Sequence, residues 1–127
     1  MNKKYKILIV EDENSLRLVY SEYLSMEGFE ILQAKDGQEA IDLVNENSDI
    51  DLILLDLMIP KIDGIKVLKE LRSYPKNKNI KIFMMTVLSR EKVIKEAFEL
   101  GADGYLIKDS LMPDQIKQEI LSALEPK

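Results

Sequence analysis

The chain contains no cysteine, no histidine and no tryptophan. Without cysteine there is no disulfide framework, no zinc–thiolate site and no thiol nucleophile. Without histidine, Ser-His-Asp and Cys-His constellations are excluded, and most transition-metal sites lose their usual ligand. No apolar run approaches the ~20 residues that cross a bilayer, and the N-terminus has no signal-peptide core. The expected location is the cytoplasm, with no membrane partner. A basic stripe is missing too. The formal net charge is −5, and Lys76-Asn77-Lys78 reads as a solvated loop, so direct nucleic-acid binding is not expected. Glycine and proline number only 5 and 4, which leaves no linker and no low-complexity tract.

What is present is a globular balance. Apolar residues make up 46% and charged residues 32% of 127 residues, enough for one domain with a sizeable core. Residues 1–127 therefore read as a single domain. Apolar runs alternate with amphipathic stretches throughout. Strands are expected at Tyr5–Val10, Phe29–Ala34, Leu52–Leu55, Ile80–Met85 and Gly104–Ile107. Between them the apolar spacing turns helical. The first helix would bury Leu16, Val19, Tyr20, Tyr23 and Leu24, with Asn14 as N-cap and Gly28 as its stop. Gln38–Asn47 and Ile65–Ser73 follow, the latter ended by Pro75. Ser89 is the expected cap of a fourth helix that buries Val93, Ala97 and Phe98 and stops at Gly101. Pro113 suits the first turn of a last helix, Asp114–Leu124, with Ile116, Ile120 and Leu124 inward.

Repeated strand-then-helix units imply a parallel sheet with helices on both faces and right-handed crossovers. The first, third and fourth strands are the most apolar and should be central. The expected fold is a flavodoxin-like α/β (βα)5 unit with strand order 2-1-3-4-5, whose switch point lies between strands one and three. Ligands bind outside the carboxyl ends of such strands. There the strands deliver Glu11 and Asp12, Asp56, Thr86 and Lys108.

Each of these residues has an ordinary reading alone. Asp12 would cap a helix, Asp56 would be a turn residue ahead of Pro60, and Lys108 would be a surface lysine. Together the acids are costly, because neighbouring carboxylates repel unless a cation intervenes. Magnesium accepts oxygen ligands and few carboxylates. Asp12 and Asp56 would ligate it directly, Glu11 through water, and the Met58 backbone carbonyl would add an oxygen. Asp56 would then be a carboxylate nucleophile that forms an acyl phosphate. Lys108 would neutralise the far side of the phosphoryl group, and the Thr86 hydroxyl would donate to one of its oxygens.

This set resembles the receiver domain of two-component response regulators, with the single-domain chemotaxis regulator as an example. The likeness runs over essentially the whole chain. It rests on Glu11-Asp12, on Asp56-Leu57-Met58-Ile59-Pro60 leading to Asp63-Gly64, and on Thr86, Tyr105 and Lys108. It implies that a sensor histidine kinase or phosphotransfer protein donates a phosphoryl group to Asp56 with Mg2+ present. It implies that Thr86 and Tyr105 form a switch pair acting on the face of helix four, strand five and helix five. Such a chain catalyses its own phosphorylation and slow dephosphorylation, without turning over an external substrate. Its target would be a downstream protein or an effector domain, such as a DNA-binding domain after Lys127. A homodimer through helices four and five is the other reading of a face whose charges, Lys92, Lys95, Glu96 and Glu99, suit solvent.

Two positions depart from the family pattern. Asp109 stands where proline usually follows the lysine; a cis bond before a non-proline residue costs about 3 kcal/mol, so a trans Lys108–Asp109 bond is expected. Val87 is branched where the family has a small residue, which narrows access to the acyl phosphate. Met58 and Leu88, two residues beyond Asp56 and Thr86, cannot orient an attacking water, so slow self-hydrolysis is expected. Three rival functions fit these residues less well. A flavin site would be repelled by Glu11-Asp12-Glu13. A haloacid-dehalogenase-type phosphatase needs a second acid where Met58 stands. A receiver-like interaction module that is not phosphorylated would not need the complete acid set.

Overall fold

The strands form along apolar runs, unbroken at the centre of the sheet and interrupted by Glu30 and Gln33 at one edge. In the computed structural model, which describes residues 4–125, they are β1 (Lys6–Val10), β2 (Glu30–Ala34), β3 (Leu52–Leu55), β4 (Lys81–Thr86) and β5 (Gly104–Ile107). The helices are α1 (Asn14–Met26), α2 (Gly37–Glu46), α3 (Gly64–Ser73), α4 (Glu91–Glu99) and α5 (Pro113–Leu124). The strands pair in parallel in the order β2-β1-β3-β4-β5. The fold expected from the strand pattern is the one found. Lys127 lies outside the described residues.

Alternation along each strand builds two cores. Leu8, Val10, Ile53, Leu55, Ile82 and Met84 meet α2, α3 and α4 through Ala40, Ile41, Val44, Val67, Leu68, Leu71 and Ala97. Ile7, Ile9, Leu52, Leu54, Phe83, Met85 and Leu106 meet α1 and α5 through Tyr20, Leu24, Ile116 and Ile120. Each large side chain so buried contributes about 1.5–3 kcal/mol, more than a typical helix cap. Every β3 residue is buried, while edge strand β2 buries only Ala34. That contrast is why β3 reads as a continuous apolar run and β2 does not.

Helix ends gave mixed agreement with expectation. Gly28 and Gly101 take φ of 100° and 106° just beyond α1 and α4, a conformation that glycine adopts without strain. Pro113 opens α5 as expected. Asn14 is not a cap: Glu13 holds that position without a side-chain bond, and Asn14 is already helical. Arg90, not Ser89, precedes α4, again with no side-chain cap. Val19 and Phe98 are exposed rather than inward, because each lies at the flank of its helix's apolar arc. Lys76-Asn77-Lys78 is not simply a solvated loop. Asn77 is buried in a 3-10 turn, and its Nδ2 donates to the Leu71 carbonyl. Arg72 binds this corner together, donating to the carbonyls of Gly101, Asn77 and Ile80 and to Asp103.

Candidate functional site

The parallel ladder carries the site residues to one end of the sheet. The Glu11 amide donates to the Ala34 carbonyl at 3.0 Å and the Asp56 amide to the Val10 carbonyl at 3.2 Å, so both acids continue the β1 and β3 ladders by one residue. Thr86 is the last residue of β4, and Lys108 is the first after β5. One carboxylate oxygen from each of Glu11, Asp12 and Asp56 lies within 4.8 Å of the others. Glu11 and Asp56 are 2% and 5% exposed, which raises the cost of their charge, whereas Asp12 is open to solvent. An all-oxygen donor set of this kind suits a hard divalent cation rather than a soft one.

Lys108 is the counter-charge already in place. Its ammonium donates to Asp56 Oδ2 at 2.7 Å and to Glu11 Oε1. The Lys108–Asp109 bond is trans, since no cis peptide occurs among the described residues. Asp109 thus leaves Lys108 within reach of the acids. Burial pushes the Glu11 carboxyl up, against the opposing pull of Lys108 and of the Glu13 amide. Burial also works against the Lys108 ammonium, but its hydrogen bonds to Asp56 and Glu11 hold its pKa above the ordinary lysine value.

The surrounding loops are tied to the acids by short bonds. The Met58 amide donates to Asp56 Oδ1 at 3.1 Å, which places the Met58 backbone beside that carboxylate while its side chain is exposed. Gly64 backs the same point: a Cβ there would lie 2.4 Å from the Asp56 carbonyl oxygen. Farther along the loop, the Pro60 carbonyl accepts from both Ile62 and Gly37. Lys61 between them has φ of 69° and pairs with buried Asp36, the cap of α2. Thr86 is fully buried, and its Oγ1 lies 3.5 Å from the Leu88 amide. Tyr105 is half-buried, opposite Met84 in the ladder, and its hydroxyl donates to the Leu88 carbonyl at 2.9 Å. Val87 is exposed, whereas Leu88 packs partly against the core.

Sequence reasoning missed Arg17. Its guanidinium donates to the Glu11 carbonyl, to Gln33 and to Asn14. An arginine one turn into the helix that follows the acids was the available signal. It is weak, because most helical arginines face solvent.

A family model described as the response regulator receiver domain matches residues 7–121. This chain belongs to the response-regulator receiver family. The receiver resemblance read from the motifs therefore holds. Among curated relatives, the transcriptional regulatory protein SrrA of Staphylococcus aureus is 46% identical over 103 residues. That alignment covers 81% of this receiver chain but 41% of SrrA, so the chain spans less than half the length of the curated relatives it matches. The chemotaxis protein CheY4 of Vibrio cholerae superposes with a TM-score of 0.89 at 28% identity, covering 96% of this chain and all of that one. A CheX-CheY-BeF3-Mg+2 complex from Borrelia burgdorferi gives 0.87 at 29% identity, over 96% and 90% of the two chains. Among the described residues no helix is long and apolar enough to cross a membrane.

Proposed function

We propose that this receiver, residues 1–127 acting as one unit in the cytoplasm, accepts a phosphoryl group on Asp56 from a sensor histidine kinase or phosphotransfer protein. One observation carries the reading: a lysine ammonium lies on the carboxylate that would react, beside two further acids just past the end of the neighbouring strand β1. Glu11, Asp12, Asp56 and the Met58 carbonyl are the oxygens that would hold Mg2+. Bound there, Mg2+ supplies charge neutralisation of the phosphoryl oxygens.

The remaining chemistry belongs to the chain. An Asp56 carboxylate oxygen attacks phosphorus, a P–O bond forms, and the donor's bond to phosphorus breaks with its electron pair leaving on the donor. Asp56 thereby becomes a mixed anhydride. Lys108 keeps its proton and moves its ammonium from carboxylate to phosphoryl oxygen. Thr86 donates its hydroxyl to another phosphoryl oxygen, which requires its side chain to turn from the Leu88 amide. Tyr105 then exchanges its bond to Leu88 for the space vacated beside Thr86. The result is a population shift on the α4–β5–α5 face, read by a downstream protein or an effector domain. The likeness to a transcriptional regulatory protein supports an effector that acts on transcription.

The chain would catalyse only its own loading and slow unloading. Beryllofluoride with Mg2+ tests the switch: amide resonances of Thr86, Leu88 and Tyr105 should move together on addition. Spectra unchanged at saturating beryllofluoride favour a receiver-like interaction module that is not phosphorylated.

A further inference from the structure

Arg17 touches none of the three carboxylates, yet its guanidinium is used on three sides. Nη1 donates to the Glu11 backbone carbonyl at 2.8 Å, Nε to Gln33 Oε1 at 3.1 Å and Nη2 to Asn14 Oδ1 at 2.6 Å. The acceptors lie on the turn after β1, on edge strand β2 and on α1. Asn14 is the first helical residue, one past the cap position that Glu13 holds, and its side-chain oxygen accepts from Arg17.

The first of these bonds is the informative one. The Glu11 carbonyl belongs to the peptide that joins Glu11 to Asp12. Glu11 is fixed on its own side of that peptide, with its amide on Ala34 and its carboxylate on the Glu13 amide and Lys108. Asp12 is exposed and lacks such packing. The orientation of the shared peptide therefore sets where the Asp12 carboxylate starts. We propose that Arg17 is a positioning residue for the divalent-cation site, holding the Glu11–Asp12 peptide so that both carboxylates converge with Asp56 on one ion. This rests on the reading of the acid trio as a Mg2+ site.

Charge alone gives the opposite expectation. A guanidinium beside the acids repels an incoming cation, so removing it should tighten Mg2+ binding. Loss of a group that orients metal ligands instead weakens affinity, typically by about 10–100-fold. Lysine separates the effects further, because its point charge cannot serve three acceptors as the planar fork does.

The test is Mg2+ titration of the full chain, followed by amide chemical shifts at a temperature where each variant is folded. Arg17→Met and Arg17→Lys should both bind about tenfold more weakly than the parent. Asn14→Ala, which removes one anchor and no helix cap, should weaken binding by a smaller factor. Arg17→Met binding as tightly as the parent, or more tightly, overturns the inference while leaving the metal reading intact. If Arg17→Met does not fold, a Gln33→Ala, Asn14→Ala double variant with parental affinity overturns it equally. A parent without saturable Mg2+ binding overturns the metal reading and this inference with it.

Discussion

Lys108 Nζ lies 2.7 Å from Asp56 Oδ2 and also donates to Glu11, so one ammonium ties the ends of β1, β3 and β5. Replacing it by methionine would leave two buried carboxylates without their counter-charge. Removing one partner of a buried pair costs about 3–5 kcal/mol. Lys108→Met should therefore be destabilised by an amount of that order without metal. Mg2+ should restore more stability to the variant than to the parent, since it would replace the missing positive charge. Urea unfolding with and without Mg2+ measures both effects, and an equal Mg2+ increment in the two proteins contradicts the expectation.

The Tyr105 hydroxyl donates to the Leu88 carbonyl, while its ring packs partly against the core. Phenylalanine removes that bond, worth about 1 kcal/mol, from the unphosphorylated arrangement only. Tyr105→Phe should then reach half-saturation at a several-fold lower beryllofluoride concentration, with Mg2+ fixed. An unchanged or higher concentration would mean that the Leu88 bond does not hold the switch.

Met58 is exposed at the site and Leu88 lies two residues beyond Thr86. Neither side chain can hydrogen-bond an attacking water. The acyl phosphate of the isolated protein should outlast seconds in Mg2+. Combining Met58→Asn with Leu88→Glu should shorten that lifetime, by about tenfold if one such contact contributes about 1.4 kcal/mol. Loss of label within seconds from the parent would rule this out.

Asp36 caps α2 by accepting from the Glu39 amide at 2.8 Å and pairs with Lys61. The Glu39 amide foremost, helped by Lys61, holds its pKa below 3.8. A carboxylate with a depressed folded pKa adds stability above its unfolded value and loses it as pH falls through the folded one. The parent's advantage over Asp36→Asn should be full at neutral pH and fade below 3.8. Denaturant unfolding across that window checks the sign; an advantage that grew on acidification would contradict it.

The sheet and its order were legible because β1, β3 and β4 are buried on both faces and read as apolar runs whatever surrounds them. The acids at their ends followed from strand position alone. The helix starts did not, because caps depend on competition among polar groups that spacing does not rank. Asn14 has the right chemistry for a cap, but the helix starts one residue early, so Glu13 holds the cap position and the Asn14 oxygen accepts from Arg17. Asn77 between two lysines looked solvated, yet the Leu71 carbonyl holds it inside. Arg17 itself was hidden because its partners include a backbone carbonyl and a residue of a separate strand. Such contacts leave no periodic trace.

The most direct measurement is phosphoryl uptake read by intact mass after incubation with acetyl phosphate. The parent with Mg2+ should gain one phosphoryl group, and both the parent with chelator and Asp56→Asn with Mg2+ should gain none. Equal uptake by Asp56→Asn, or no uptake by the parent with Mg2+ supplied, would contradict phosphorylation at Asp56.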